Sequence, residues 1–425
     1  MPIAIISQLN TQPACAPVNA SPTASRPSTH DSGSGWFAIP FLYDSCIRYS
    51  TPVYPGAPDR LLGASMIRNL PITAAMTPVQ HSAGLRVPAP KTLPLFTVTG
   101  LVKEFAARRG MFDRDGPVIR AVDGVSFTID AGRTLGIVGE SGCGKSTLAK
   151  LVLGLEEPTR GSISFEGNEL ATLDRAERRQ YRSRVQAVLQ NPYSSLNPRQ
   201  RVKSIISEPL IVNGWKRRSD IDNRVRSLLD LVGLPQRAFD QFPHEFSGGQ
   251  RQRIAIARAL AIEPKVVVLD EPVSALDVSI RAQILNLLSD LQQELGMAYL
   301  FIAHDLAAVA HMSHTIAVMY LGRIVEYGDA DLVAQAPSHP YAQALFSAAL
   351  PFDPGSPQDE VIIEGEVASA AHPPPGCHFH PRCPYVMPIC REQYPPFGLS
   401  ADRLVACHLR PVIPIAVADT ITNVQ

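Results

Sequence analysis

The sequence predicts an α/β fold, and three observations carry that reading. Between residues 94 and 330, short apolar runs of strand length alternate with helical patterns. A glycine-rich loop, "GESGCGKST" at 139–147, joins one such run to the start of a helical one. From 190 to 262 the pattern turns mainly helical, as expected of a helical subdomain inserted into an α/β core.

Taken in order, "PLFTVTGLVKEF" (94–105) and "AVDGVSFTID" (121–130) alternate apolar and polar residues like half-buried strands. "AGR" then turns the chain into "TLGIVG" (134–139). "KVVVLDE" (265–271) and "MAYLFIAHD" (297–305) lie between helical patterns, as parallel strands of a wound sheet do. "TIAVMYLGRIVEYG" (315–328) reads as an edge hairpin turning at Leu321-Gly322. The basic run "RAERRQYRSR" (175–184) reads as a solvated helix face.

The flanks differ from this core. Residues 1–93 hold thirteen prolines, three Asp and no Glu, without a sustained period. Such a segment buries too little apolar surface to offset the entropy of ordering it, so disorder is expected there. Met76 is a candidate true start. After about 330 the chain becomes rich in Pro, His and Cys, and 331–425 is expected to form a C-terminal extension.

Bulk properties exclude several classes. With 39 basic and 39 acidic residues in 425, the chain has no electrostatic reason to coat nucleic acid or an anionic membrane. No window reaches the roughly 18 consecutive apolar residues a membrane span needs, and no secretory signal is recognisable. Seven cysteines are too few for a disulfide scaffold in so long a chain, which favours a reducing compartment.

Gly139–Ser146 matches G-x-x-x-x-G-K-[ST], with a buried strand (135–138) before it and a helix (147–155) after it. Gly142 and Gly144 leave room for backbone N–H groups to converge on phosphate oxygens, and the helix N-terminus adds partial positive charge. Gly139, Glu140, Ser141, Gly142, Cys143, Gly144, Lys145, Ser146 and Thr147 are therefore expected to line a nucleotide, ATP. Lys145 bridges its β- and γ-phosphates and Ser146 offers a hydroxyl to Mg²⁺. Cys143 reads most plainly as an inert filler; its place near a helix N-terminus, which lowers thiol pKa, also makes it an alkylation target that ATP protects.

Asp270 closes a strand too apolar to tolerate charge along its length, at the carboxyl end where ligands of open α/β sheets bind. It is the expected Mg²⁺ partner, and Glu271 is placed to polarise an attacking water. Ser247, Gly248, Gly249 and Gln250 form a second backbone cradle at a second helix N-terminus, in the helical insertion. One nucleotide needs only one such loop. A head-to-tail pair of chains gives the second a purpose, since each chain's "SGGQ" caps the ATP held by the other.

Together "GESGCGKST", "LQNPYSSLNPRQ", "FSGGQRQR", "VVVLDEPVSALD" and "FIAHDL" resemble the Walker A, Q-loop, signature, Walker B/D-loop and H-loop of ATP-binding-cassette (ABC) ATPases, in that family's order over about 95–330. The resemblance implies a P-loop NTPase core with an inserted helical subdomain, an antiparallel β subdomain and a small Cys-rich extension. It implies that Gln190 senses Mg²⁺ and links the site to a membrane partner, that Asp277 reaches across the dimer seam, and that His304 contacts the γ-phosphate. Phe105 matches the aromatic that stacks on adenine, with core packing as the alternative.

A DNA-repair cassette would carry a long coiled coil, a translation factor two cassettes, and an exporter its own spans; what remains is a separate ATPase subunit of a transporter. "SHPYAQALFSAALP" (338–351), the cysteine tail and the insertion "ARRGMFDRDGPVIRAVDGVSF" (107–127) resemble ATPase subunits of oligopeptide/dipeptide importers, a group that includes nickel transporters. The implied partners are a second ABC ATPase, identical or related, two membrane permeases and an extracytoplasmic solute-binding protein. The implied location is the cytoplasmic face of the inner membrane. Import of nickel or another solute, and a soluble non-transport cassette acting on nucleic acid or ribosomes, stand as alternatives.

Cys377, Cys383, Cys390 and Cys407 are separated by five, six and sixteen residues. Structural zinc favours closer pairs. Irregular four-cysteine ligation with a Cys-Pro step fits a [4Fe–4S] cluster better, and the resemblance implies one in some members. Zinc and free cysteines remain open.

Overall fold

The computed structural model describes residues 93–106, 118–190, 195–348, 363, 365–366 and 368–414. The expectations for 1–92, for most of the insertion after Ala106 and for 191–194 of the Q-loop stretch fall outside the described residues.

Two sheets organise the chain. Strands β1 (Phe96–Ala106), β2 (Val118–Ile129), β4 (Arg160–Phe165) and β5 (Asn168–Glu169) form an antiparallel sheet in the order β2-β1-β4-β5. Among the described residues the larger sheet has nine strands. Its parallel part runs β9 (Thr315–Tyr320), β3 (Thr134–Val138), β8 (Ala298–Ile302), β7 (Val266–Asp270), β6 (Val185–Val188). An antiparallel part continues it through β10 (Arg323–Asp329), β12 (Arg403–Val405), β11 (Gly398–Ser400) and β13 (Ile413–Pro414).

The central strands bury both faces, with period-two alternation sorting their side chains between two cores. Val267, Leu269, Tyr299, Phe301, Ile316 and Val318 join the core on one side; Val266, Val268, Ala298, Leu300, Ala317 and Met319 join the other. The second core is closed by helix α1 (Lys145–Val152) and the inner face of the antiparallel sheet, including Phe96, Phe127 and Phe165.

The first core is closed by helices α3 (Val202–Val212), α4 (Arg218–Leu231), α5 (Gly248–Leu260), α6 (Val278–Leu295) and α7 (Leu306–Met312). Between 195 and 262 the described residues hold helices and turns, matching the helical pattern read there. Helix α2 (Arg175–Arg184) carries the basic run and buries only Tyr181; an Asp174–Glu177 capping box starts it. Among the described residues, no helix is long and apolar enough to cross a membrane.

One expectation is corrected. Thr315–Gly328 does form a hairpin, with Arg323 paired to Tyr320 across a two-residue turn. Leu321 and Gly322 both have positive φ, 42° and 82°, as a type I′ turn requires. The hairpin is not an edge, because β10 pairs with β12 (Glu326 with Val405) and β9 with β3. The covering strand lies about eighty residues downstream in a proline-rich stretch that shows no strand pattern of its own. After β10 come α8 (Ala330–Gln335), α9 (Pro340–Ser347) and α10 (Pro388–Glu392). Arg403 from β12 pairs with the fully buried Glu326, whose carboxylate also accepts from the N–H groups of Ser338 and His339.

Candidate functional site

The phosphate loop hangs between β3, buried throughout, and α1. Its glycines are of different kinds. A Cβ on Gly139 would lie 2.1 Å from the Met319 carbonyl oxygen, and one on Gly144 would lie 2.0 Å from that of Ala121. Gly142 has open space around it, so what it supplies is its positive φ of 82°. Gly144 caps α1 in the left-handed region without a side-chain cap, and the first turn holds no acidic residue. The amides at that helix start are thus left to an anion. The hairpin braces the loop from behind: Gly322 N–H donates to the Cys143 carbonyl at 2.9 Å.

Lys145 is buried, its ammonium donating to the carbonyl oxygens of Gly139 (2.6 Å) and Glu140 (2.9 Å). Ser141 and Ser146 are exposed and Thr147 is half-buried. Cys143 fits the inert-filler reading and not the low-pKa one. It is only 4% exposed, and burial pushes its thiol up, outweighing the pull of Lys145. The helix-terminus argument for a lowered thiol pKa fails because the side chain turns inward, away from the water a thiolate needs.

Glu140 is bound on every side. Its N–H donates to the Tyr341 hydroxyl at 2.8 Å, and its carboxylate takes both guanidinium arms of Arg382 at 2.8 and 2.9 Å. Neither partner was found by sequence reasoning, because each lies more than 200 residues away along the chain.

At the carboxyl end of β7, burial and the neighbouring Glu271 charge push the Asp270 carboxyl up, against the pull of Lys145 and Lys150. A half-buried carboxylate with surplus negative charge beside it suits a hard cation, and the exposed Ser146 hydroxyl supplies a second oxygen. These residue types fit Mg²⁺, which Asp270 and Ser146 would hold.

Glu271 sits at φ 49°, in the region non-glycine residues seldom adopt, and its N–H donates to the Ile302 carbonyl at 2.7 Å. Its carboxylate accepts from the Gln190 amide at 2.5 Å and lies 3.4 Å from His304 Nδ1. The structure therefore brings Gln190, Glu271 and His304 together from the ends of β6, β7 and β8. His304 stands before a helix capped by Asp305, whose carboxylate accepts from Ala308 N–H and pairs with Arg281 of α6. Sequence reasoning missed Arg281, whose partner lies 24 residues further along the chain.

Ser247 caps α5 in a reciprocal box with Gln250. Gly249 packs against Ile280, where a Cβ would lie 2.4 Å from that side chain. The glycines thus serve helix packing, while the N–H groups of Ser247 and Gln250 are engaged within the box. Among the described residues, the hydrogen bonds of Ser247 and Gln250 stay within the motif and do not reach the phosphate loop. Asp277 starts α6 without capping it and is exposed. Phe105 is 37% exposed with Lys103 over its ring at 5.1 Å, so core packing does not account for it.

Cys377, Cys383, Cys390 and Cys407 are all free and lie close enough to feel one another's charge. Burial pushes Cys377 up to about 11. Among the described residues no group of three or more His, Cys, Asp or Glu side chains is set to hold a metal ion, so the arrangement does not support the [4Fe–4S] expectation.

The family profile described as "ABC transporter" matches residues 122–274, and that described as "Oligopeptide/dipeptide transporter, C-terminal region" matches 325–390. The chain is 48% identical over 314 residues to the di/tripeptide transport ATP-binding protein DppF of Pseudomonas aeruginosa (strain UCBPP-PA14), covering 74% of this chain and 97% of that protein. It is 46% identical over 314 residues to the dipeptide transport ATP-binding protein DppF of Escherichia coli (strain K12), covering 74% and 94%. It is 47% identical over 311 residues to the oligopeptide transport ATP-binding protein AppF of Bacillus subtilis (strain 168), covering 72% and 94%. Among solved structures, cbiO1 from Clostridium perfringens, part of the ABC transporter complex cbiONQ, matches with a TM-score of 0.51 and 30% identity over 57% of this chain and 91% of that one.

Proposed function

Because this chain belongs to the ABC-transporter ATP-binding subunits of the oligopeptide/dipeptide family, we propose that its own residues hydrolyse ATP and so drive peptide import through membrane permeases. One observation carries the assignment of roles. Gln190, Glu271 and His304 meet at a single carboxylate beside Asp270, whose carboxyl feels the charge of Lys145 in the phosphate loop.

The loop amides and Lys145 bind the β- and γ-phosphates. To do so, the ammonium exchanges two carbonyl contacts for phosphate oxygens. Ser146, Asp270 and Gln190 would hold Mg²⁺, which when bound would supply positive charge against the phosphates. Glu271, aimed by Gln190 and His304, takes the proton of the attacking water; the oxygen bonds to the γ-phosphorus as its bond to the β-bridging oxygen breaks, leaving ADP and phosphate. Phe105 stacks on the adenine from the rim.

The second cradle completes the site from another chain. Ser247, Gly248, Gly249 and Gln250 of a mate cap the γ-phosphate, with Asp277 reaching across the seam. The mate is a second ATPase subunit, identical or related. ATP holds the pair closed and hydrolysis releases it, so closure moves the permeases only as far as ATP prefers the closed state. An extracytoplasmic solute-binding protein delivering peptide, and a position on the inner face of the inner membrane, follow from the same reading.

The unit boundaries proposed are a cassette core over 94–330, with helices α3–α5 as its helical subdomain, and a C-terminal extension over 331–425. No step is assigned to a metal at the four cysteines. Reconstitution of the chain with its permeases tests the proposal: peptide uptake should require ATP and vanish with Glu271→Gln while ATP binding persists. Undiminished uptake by that variant would remove Glu271 from the mechanism.

A further inference from the structure

We infer that Arg382 and Tyr341 are positioning residues for ATP binding, holding the phosphate loop in shape through Glu140. The inference rests on the loop being the ATP site proposed above. All of Glu140's polar groups are engaged: its N–H by the Tyr341 hydroxyl, its carbonyl by Lys145 and the Cys143 N–H, and both carboxylate oxygens by Arg382. The fork-to-carboxylate pair is bidentate, with the Arg382 side chain 8% and the Glu140 side chain 24% exposed.

Arg382 and Tyr341 are themselves fixed. The Tyr341 ring packs 4.7 Å from Tyr320 and 5.4 Å from Phe379, and Phe379 precedes the short turn that carries Arg382. Tyr320 ends β9, one residue before the hairpin turn whose Gly322 N–H reaches the Cys143 carbonyl. The phosphate loop is therefore gripped at Glu140 by the C-terminal segment and at Cys143 by the hairpin, and one aromatic cluster joins the two grips. A loop already held in its binding shape needs less ordering when phosphate arrives. Glu140 is thus turned toward the C-terminal segment and away from the nucleotide; it shapes the site without touching the phosphates.

The test uses the full chain in four forms besides wild type: Arg382→Gln, Glu140→Gln, the double variant and Tyr341→Phe. Two quantities are read: MgATP affinity by titration calorimetry, and the rate of Cys143 alkylation by N-ethylmaleimide without nucleotide, followed by mass spectrometry of its peptide. Removing one partner of a partly buried, bidentate pair strands the other, so each single charge variant should bind MgATP about tenfold more weakly. Cys143, buried when the loop is held, should react several-fold faster. The double variant should be no weaker than the worse single one, because both act through one contact.

Should Arg382→Gln unfold the C-terminal segment, Tyr341→Phe decides by the same readouts, since it removes only a hydroxyl. Unchanged affinity and unchanged Cys143 rate in folded Arg382→Gln and Tyr341→Phe would overturn the inference. A wild-type chain that failed to bind MgATP would sink the ATPase assignment instead, and the Cys143 rate would still decide the grip.

Discussion

The side-chain amide of Gln190 donates to the Glu271 carboxylate across 81 residues of sequence, joining the strand at the sheet edge to the strand that carries the acidic pair. The same carboxylate has His304 at 3.4 Å on its other side. A base held from two directions has little freedom to turn from its water. Glu271→Gln should keep MgATP affinity within about twofold yet lower hydrolysis by roughly 10²–10⁴, the span general-base assistance supplies. Equilibrium binding and phosphate release check the two halves separately.

Gly139 has no room for a methyl group, which would stand 2.1 Å from the Met319 carbonyl oxygen. Backbone cannot yield as a flexible side chain can. Gly139→Ala should therefore abolish measurable MgATP binding, whereas Gly142→Ala, strained only by its φ of 82° in open space, should weaken it by about 1–2 kcal/mol. Calorimetric titration of the two variants side by side is the check.

Arg281 ties the helix that follows Asp277 to the cap of the helix that follows His304. Arg281→Met leaves Asp305 with its capping role but without its charged partner. The expected cost is about 2 kcal/mol in urea unfolding, typical of a partly buried hydrogen bond to a charged group. Turnover at saturating MgATP should also fall, and a variant with wild-type stability would show the pair to be ornamental.

His339 gives the C-terminal segment a pH dependence. Its Nδ1 accepts from Tyr341 N–H to start α9, which requires an unprotonated nitrogen; burial, and secondarily the Arg410 charge, hold its pKa down to about 3. The unfolded chain takes up this proton near the ordinary value of 6.5, so it binds more protons than the native state between about 6.5 and about 3. Stability from this group is complete above 6.5 and declines as pH falls. His339→Asn, which keeps a capping oxygen but does not titrate, should lose Tm less steeply between pH 7 and pH 5. Parallel curves would contradict this.

What could be read from sequence was contiguous in it. The strand, glycine loop and helix around Lys145, and the apolar run ending in Asp270-Glu271, each state their geometry within about twenty consecutive residues. Family resemblance marked Gln190 and His304 as site residues, but their convergence on Glu271 went unread, since no local pattern encodes it. Contacts made by distant segments stayed hidden: nothing near Glu140 points to Arg382 or Tyr341, and nothing near Arg323 shows that its strand is covered by Arg403–Val405. The low-pKa reading of Cys143, the less favoured of its two, shows a second kind of failure. Helix position argued for a low thiol pKa, but burial decides the sign, and burial depends on where Lys145 and Met319 pack.

The proposal that ATP is clasped between Lys145 of one chain and Ser247 of another is tested most directly by mass. Light scattering on the Glu271→Gln chain should show a monomer without nucleotide and a mass near twice that with saturating MgATP, either alone or mixed with its partner ATPase. An unchanged monomer mass in both mixtures would contradict the shared site.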